Sequence, residues 1–160
     1  LKVADEQIKS ATIEPMRQQW VAIRHSLRMS AGMMDEEDLA FFRSQLASIK
    51  GDPYSIYRFG YSILSQAQQG ADIGPLGKDV IAALTAEIEA ADPEMHPAIY
   101  NTIARLHDFE GNLSEAVKAQ QAAVDSTEDP RIKRRLTPLL EELREKAGEP
   151  AEAAEEEPEK

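Results

Sequence analysis

Three Asp-Pro pairs recur along the chain at a nearly constant interval. They are Asp52-Pro53, Asp92-Pro93 and Asp129-Pro130, and the intervals between them are 40 and 37 residues. An aspartate can cap the free N–H groups of a helix start, and proline fits the first helical position because no N–H is needed there. Each pair therefore predicts a helix start, and the regular interval predicts a repeated unit of two helices.

Nearly all of the remaining sequence has the periodicity of amphipathic helices. We predict about seven helices, over residues 5–30 (with a break or kink at Pro15), 35–49, 53–68, 78–91, 94–109, 113–126 and 130–147. The three glycines and one proline of residues 70–77 predict a loop. Period-two alternation and hairpin dipeptides are absent from the sequence. The predicted fold class is all-α.

Composition excludes several kinds of partner and chemistry. The chain has 18 Lys and Arg against 29 Asp and Glu, a net charge of −11, which argues against nucleic acid as the main partner. It has no cysteine, which excludes disulfides and thiolate metal sites. No apolar run approaches the length of a membrane span, so we expect no membrane insertion. The compartment stays open between the cytoplasm and the bacterial periplasm or envelope.

The end of the chain differs from the rest. Residues 149–160 read EPAEAAEEEPEK, with six Glu, one Lys, two Pro and no large apolar side chain. Such a segment cannot bury enough surface to offset the entropy of ordering it. We therefore predict a helical repeat domain over residues 1–148 and an acidic disordered tail over 149–160.

The unit from Pro97 to about Glu128 resembles a tetratricopeptide repeat. The positions that match the family are Tyr100, Ile103, Ala104, Gly111, Leu113, Ala116 and Ala123. The departures are Gln120, which replaces the second-helix aromatic, and His107, which replaces the first-helix tyrosine. The unit from Pro53 is similar but has a longer inter-helix segment, and the N-terminal unit keeps little of the pattern. The resemblance implies a right-handed superhelical stack of about three helix pairs and a terminal helix, with a concave groove.

A second resemblance concerns the C-terminal part of the chain. The stretches EAVKAQQAAVD and RLTPLLEELREKAG are similar to helical regions attached to bacterial thioredoxin-like or other envelope proteins. This resemblance implies an alternative function, in which the chain is the helical accessory domain of a larger enzyme whose catalytic part lies elsewhere.

Candidate catalytic chemistry is sparse in the sequence. The three histidines, His25, His96 and His107, do not have the spacing of metal ligands, and no nucleotide-binding or nucleophile motif occurs. We expect no catalytic residue, no metal and no cofactor, and we expect that the chain is not an enzyme.

Candidate binding residues follow from the tetratricopeptide resemblance. It implies that the concave face presents His25, Arg28, Tyr54, Tyr57, Arg58, Tyr61, Asn101, Arg105, Arg131, Arg134 and Arg135. Arginine forms paired hydrogen bonds with a carboxylate, and tyrosine supplies rigid contact area. The leading hypothesis is therefore a non-catalytic interaction or scaffold module that binds an extended acidic or carboxylate-bearing polypeptide in the concave groove.

Three alternatives remain open at this point. The tyrosines of helix three could instead pack against a neighbouring helix or the 70–77 loop. The arginines of helix seven could pair locally with Glu128 and Asp129. The chain could also self-associate, which predicts a mass that depends on concentration.

Overall fold

The structure is a computed structural model that describes residues 1–148. The tail predicted at 149–160 lies outside the described residues. Within them, all helices longer than one turn are α-helices, and no residue is in a β-strand. They are α1 (Lys2–Ser10), α2 (Glu14–Ser30), α3 (Glu36–Ser48), α4 (Pro53–Gln68), α5 (Gly74–Glu87), α6 (His96–Phe109), α7 (Leu113–Asp125) and α8 (Pro130–Ala147). The all-α prediction is confirmed, and the eight helices of residues 1–148 pack in sequential pairs.

The first predicted helix is in fact two helices. The chain leaves the helical conformation at Ala11 and re-enters it at Glu14, so residues 5–30 do not form one helix. Pro15 lies in the first turn of α2. The N–H groups of a first turn have no carbonyl partner within the helix, so proline removes no hydrogen bond there. The proline therefore starts a helix here, and the break comes before it.

The loop predicted at residues 70–77 is wrong in its second half. Helix α5 begins at Gly74, with Pro75 in its first turn. Leu76 is completely buried. The packing of its side chain offsets the low helix propensity of the neighbouring glycines. The connection from α4 to α5 is correspondingly short.

All three Asp-Pro pairs start a helix, although not the same kind of helix. The carboxylate of Asp52 accepts the N–H of Ser55 at 3.2 Å at the start of α4. That of Asp129 accepts the N–H of Arg131 at 2.8 Å at the start of α8. Asp92 caps a single 3₁₀ turn, Pro93–Met95, and α6 follows it.

The chain divides into two compact units, and the first is Leu1–Ala91. In this unit α1 packs against α2, α2 against α3, and both α3 and α4 against α5. The α4–α5 contact is close at Gly60, where an added Cβ would lie 3.0 Å from Leu84 Cδ1 and 3.1 Å from Val80 Cγ1. Glycine at this position therefore lets the two helices approach.

The second unit begins at Asp92. Its helix α7 packs against both α6 and α8. The core between them consists of Ala104, Ala116, Val117, Leu140 and Leu143. Three of these side chains are small, so the helices can lie close together.

Gln120 has a structural role in this second unit. Its side chain is completely buried, and Nε2 donates a hydrogen bond to the carbonyl oxygen of Leu136 at 2.9 Å. Gln120, one of the two departures from the tetratricopeptide pattern, thus joins α7 to α8 through a buried amide.

Candidate functional site

One side of α4 carries the candidate binding residues of the first unit. The interior side of this helix buries Ile56, Gly60 and Ile63, as its periodicity predicts. The opposite side carries four side chains at i, i+3, i+4 and i+7 spacing, which we call the tyrosine surface: Tyr54, Tyr57, Arg58 and Tyr61. Residues at this spacing are neighbours on a helix.

The side chains of the tyrosine surface contact one another in two pairs. The Arg58 guanidinium carbon lies 5.9 Å from the ring centroid of Tyr54, within the range of a cation–π interaction. The rings of Tyr57 and Tyr61 are tilted by 40° with centroids 6.3 Å apart. Tyr54 and Tyr61 are nevertheless 56% and 59% exposed. The local pairs thus hold the aromatic rings in place without covering them.

Arg58 differs from Arg43, an exposed arginine of the same unit that pairs with α5. Arg43 donates to a carboxylate oxygen of Asp79 at 2.7 Å, so its charge is compensated within the chain. Among the described residues, no carboxylate forms an ion pair with Arg58, which is exposed. The tyrosine surface therefore combines two exposed aromatic rings with one uncompensated positive charge.

His25 and Arg28, the other candidates in this unit, belong to a different cluster. His25 is only 3% exposed, and its ring stacks on Phe41 at a centroid distance of 4.2 Å. Its Nδ1 lies 2.6 Å from Oδ1 of Asp38. Because a carboxylate only accepts hydrogen bonds, Nδ1 carries the hydrogen of this contact. A ligand would reach His25 only after the contact between α2 and α3 had opened.

Asp38 is the centre of this cluster. It is completely buried and accepts hydrogen bonds from Arg28 Nε at 2.8 Å and from the backbone N–H of Asp35 at 2.9 Å. Arg28 also donates to the carboxylate of Asp35 and to the carbonyl of Met33. The cluster fixes the end of α2 to the start of α3.

The pKa of Asp38 reflects two opposing effects. Burial by itself raises the pKa, but hydrogen bonds from Arg28, His25 and the Asp35 backbone outweigh it and lower the pKa from 3.8 to about 2. Asp38 is therefore a permanent anion at neutral pH, and it holds two basic side chains in place.

Sequence reasoning missed this cluster. The helix start predicted at residue 35 is confirmed, because Asp35 and Asp38 form a capping box there. The available signal was the i, i+3 pair of basic residues, His25 and Arg28, on a helix next to four consecutive acids. Which of those acids turns inward depends on how α3 packs against α2.

The candidates of the second unit lie on α6 and α8. Asn101 and Arg105 are partly buried on α6. Arg105 lies close enough to Glu142 to contribute to lowering the pKa of that carboxyl, after the larger effect of Lys146. Part of its charge is thus compensated within the unit.

The three candidate arginines of α8 are on its solvent side. Arg131, Arg134 and Arg135 are exposed, whereas Leu136, Leu140 and Leu143 on the other side are buried. The local pairing expected for this segment involves a different cation, since Lys133 lies 3.4 Å from Glu128. The carboxylate of Asp129 accepts a backbone N–H as a helix cap.

The described residues were also compared with three other kinds of site: a cavity, a metal-binding cluster and a membrane span. A cavity of about 200 Å³ lies between α3, α4 and α5, with Ala47, Ala83 and Ile56 in its apolar lining and Lys50 and Glu87 beside them. None of the described residues forms a cluster of three or more histidine or acidic side chains that could hold a metal ion. Over the same residues, no helix has both the length and the apolar character that crossing a bilayer requires.

Comparison of the chain with known protein families, with curated proteins and with solved structures found no match.

Proposed function

We propose that this chain is a non-catalytic interaction module that binds an extended, carboxylate-bearing polypeptide. The observation that carries the proposal is the tyrosine surface of α4, defined above. It exposes two aromatic rings and an uncompensated arginine side by side on one regular helix. Exposed tyrosine and arginine are the residue types enriched at the centres of protein interfaces.

The chemistry of this surface favours an acidic ligand. A guanidinium can form two parallel hydrogen bonds with one carboxylate. Its position over the Tyr54 ring limits the side-chain freedom that binding would remove, which lowers the entropic cost of the contact. The tyrosine rings supply flat contact area with few rotatable bonds.

The tetratricopeptide-like superhelical repeat is part of the same proposal. It is supported by the sequential pairing of helices and by the recurring Asp-Pro helix starts. Under this interpretation the first helix of each pair presents the ligand-binding side chains. In the second unit these are Asn101, Arg105, Arg131, Arg134 and Arg135.

The proposal is tested with a labelled glutamate-rich decapeptide as probe, by fluorescence anisotropy. We expect affinity of micromolar order that weakens as the salt concentration rises, because exposed charges are screened. We expect Arg58→Ala to weaken binding several-fold and Tyr54→Ala with Tyr61→Ala to weaken it further. Lys78→Ala, which removes an exposed cation of the same unit on α5, is the matched control and should bind like the wild type.

A glutamine-rich decapeptide of the same length separates charge recognition from contact with any peptide. The proposal fails if both peptides bind equally, or if the Arg58→Ala protein binds the acidic peptide as tightly as the wild type. Arg105→Ala tests the second unit separately, and we expect a smaller loss because Glu142 compensates part of that charge.

A further inference from the structure

We infer that the α1–α2 hairpin is a self-association surface, through which two copies of this chain pair. This inference is independent of the tyrosine surface and of its proposed ligand. It rests on the distribution of exposed apolar side chains, on the spacing of those on α2 and on the charges beside them.

Exposed apolar side chains are concentrated at the start of the chain. Of the nine large apolar side chains exposed within residues 1–148, six belong to the first 33 residues. The six are Leu1, Val3, Ile13, Met16, Leu27 and Met33. By contrast, Phe109 is the one such side chain among residues 92–148. Where exposed apolar side chains form one contiguous patch on a folded domain, they mark an interaction site.

The apolar residues of α2 have the spacing of a helix-pairing stripe. Ile13, the residue just before the first turn of α2, is followed by Met16, Trp20, Ile23 and Leu27 of the helix at intervals of 3, 4, 3 and 4 residues. This alternation keeps them on one side of the helix and matches the side-by-side packing of helices in bundles. The interior side of α2 is a different one, since it buries His25 and Met29.

The stripe is only partly covered within the chain. Ile13, Met16 and Leu27 are 53%, 46% and 44% exposed, and Trp20 and Ile23 are partly buried. Helix α1 packs against α2 and buries Ala4, but it leaves Val3 65% exposed. We call the apolar side chains of the two helices the hairpin surface: Val3, Ile13, Met16, Trp20, Ile23 and Leu27.

The charges beside the stripe permit a second copy. Arg17 and Arg24 lie next to it, and each is paired within its own chain, with Glu14 at 3.5 Å and with Glu37 at 3.0 Å. Two identical surfaces can therefore meet without unscreened repulsion between arginines.

The exposed apolar area reaches the lower limit for a second copy. Four members of the hairpin surface, Val3, Ile13, Met16 and Leu27, are 44–65% exposed, and the other two are partly buried. Two copies that covered this surface fully would bury roughly 1,000 Å², the lower limit for a specific interface. Two paired hairpins make a four-helix arrangement, in which each apolar stripe is covered by helices on both sides.

Sedimentation equilibrium over a range of chain concentrations, from micromolar to millimolar, tests the inference. We expect a reversible increase to twice the chain mass. The double variant Met16→Glu with Leu27→Glu should raise the dimer dissociation constant at least tenfold while far-UV circular dichroism stays unchanged, because both side chains are already about half exposed. Phe109→Glu is the matched control, since Phe109 is 49% exposed, and it should dimerise like the wild type.

Cross-linking provides a second measurement that does not depend on the folding of the double variant. The chain has no cysteine, so a single Gln19→Cys places one reactive group beside Trp20, the middle residue of the stripe. A short bis-maleimide should link Gln19→Cys chains into dimers and leave Phe109→Cys chains monomeric. A monomer at all concentrations, a dimer that the folded double variant retains, or equal cross-linking at both positions would overturn the inference.

Discussion

The α2–α3 contact of the first unit and the α7–α8 contact of the second each contain a buried polar side chain, but only one of them is charged. Asp38 is an anion that holds the guanidinium of Arg28, the ring of His25 and the backbone N–H of Asp35. Gln120 is a neutral amide that donates to one backbone carbonyl. Both residues are completely buried.

This difference in charge determines how each contact responds to substitution and to pH. A buried charge is tolerated only when its partners are all present, so removing one member leaves the others uncompensated. A buried amide contributes a net stability of only about 1 kcal/mol per hydrogen bond. The first unit is therefore the more sensitive of the two to substitution and to pH at its polar contact.

The largest expected effect is that of Asp38→Ala. It leaves Arg28 and His25 without their buried anion, and we expect the free energy of unfolding of the first unit to fall by about 3–5 kcal/mol. Urea unfolding followed by the fluorescence of Trp20, the single tryptophan of the chain, measures this loss. Asp79→Ala breaks the solvent-exposed pair with Arg43 and should cost much less, so equal losses in the two variants would contradict the assignment.

Acid should remove part of the same contribution. The folded pKa of Asp38 is about 2, below the value near 3.9 of an unfolded aspartate, so its contribution is complete above about pH 5 and is lost as the pH falls towards 2. The loss amounts to about 2 kcal/mol. The comparison of wild type with Asp38→Asn isolates this group, since the variant cannot titrate there and its unfolding should depend less on pH. Parallel pH profiles for the two proteins would show that other carboxyls account for the acid sensitivity.

The smallest expected effect is that of Gln120→Leu. The variant loses one hydrogen bond to Leu136, but it also removes Oε1 of Gln120, which has no hydrogen-bond partner in residues 1–148. Because these two changes oppose each other, we expect the free energy of unfolding to change by about 1 kcal/mol or less. Thermal unfolding by circular dichroism measures the change, and a loss as large as that of Asp38→Ala would show that the two contacts do not differ in the way inferred.

The part of the fold that was predicted correctly depends on local signals. The starts of α4 and α8 were predicted from Asp52-Pro53 and Asp129-Pro130, and the caps are present. The interior side of α4 followed from helical periodicity alone. The start of α5 was missed because three glycines and a proline are typical of loops, whereas the burial of Leu76 comes from packing against other helices.

The candidate binding residues divide in the same way, into those whose position one helix fixes and those whose position depends on contacts between helices. The tyrosine surface could be predicted because its four members lie on one helix, whose geometry fixes their spacing. His25 and Arg28 were assigned to the same binding face, yet they are held against Asp38 of the next helix. No periodicity within α2 indicates a partner that is ten or more residues away on a separate helix.

The all-α class, most helix starts and the solvent-facing side of α4 follow from the sequence alone, because these depend on backbone capping and on residues of one helix. The tertiary fold sets three other features: Asp38 turns inward to His25, Gln120 reaches the backbone of α8, and the apolar stripe of α2 is left partly uncovered. Burial and charge compensation are set by contacts between helices, whereas periodicity and capping act within one helix.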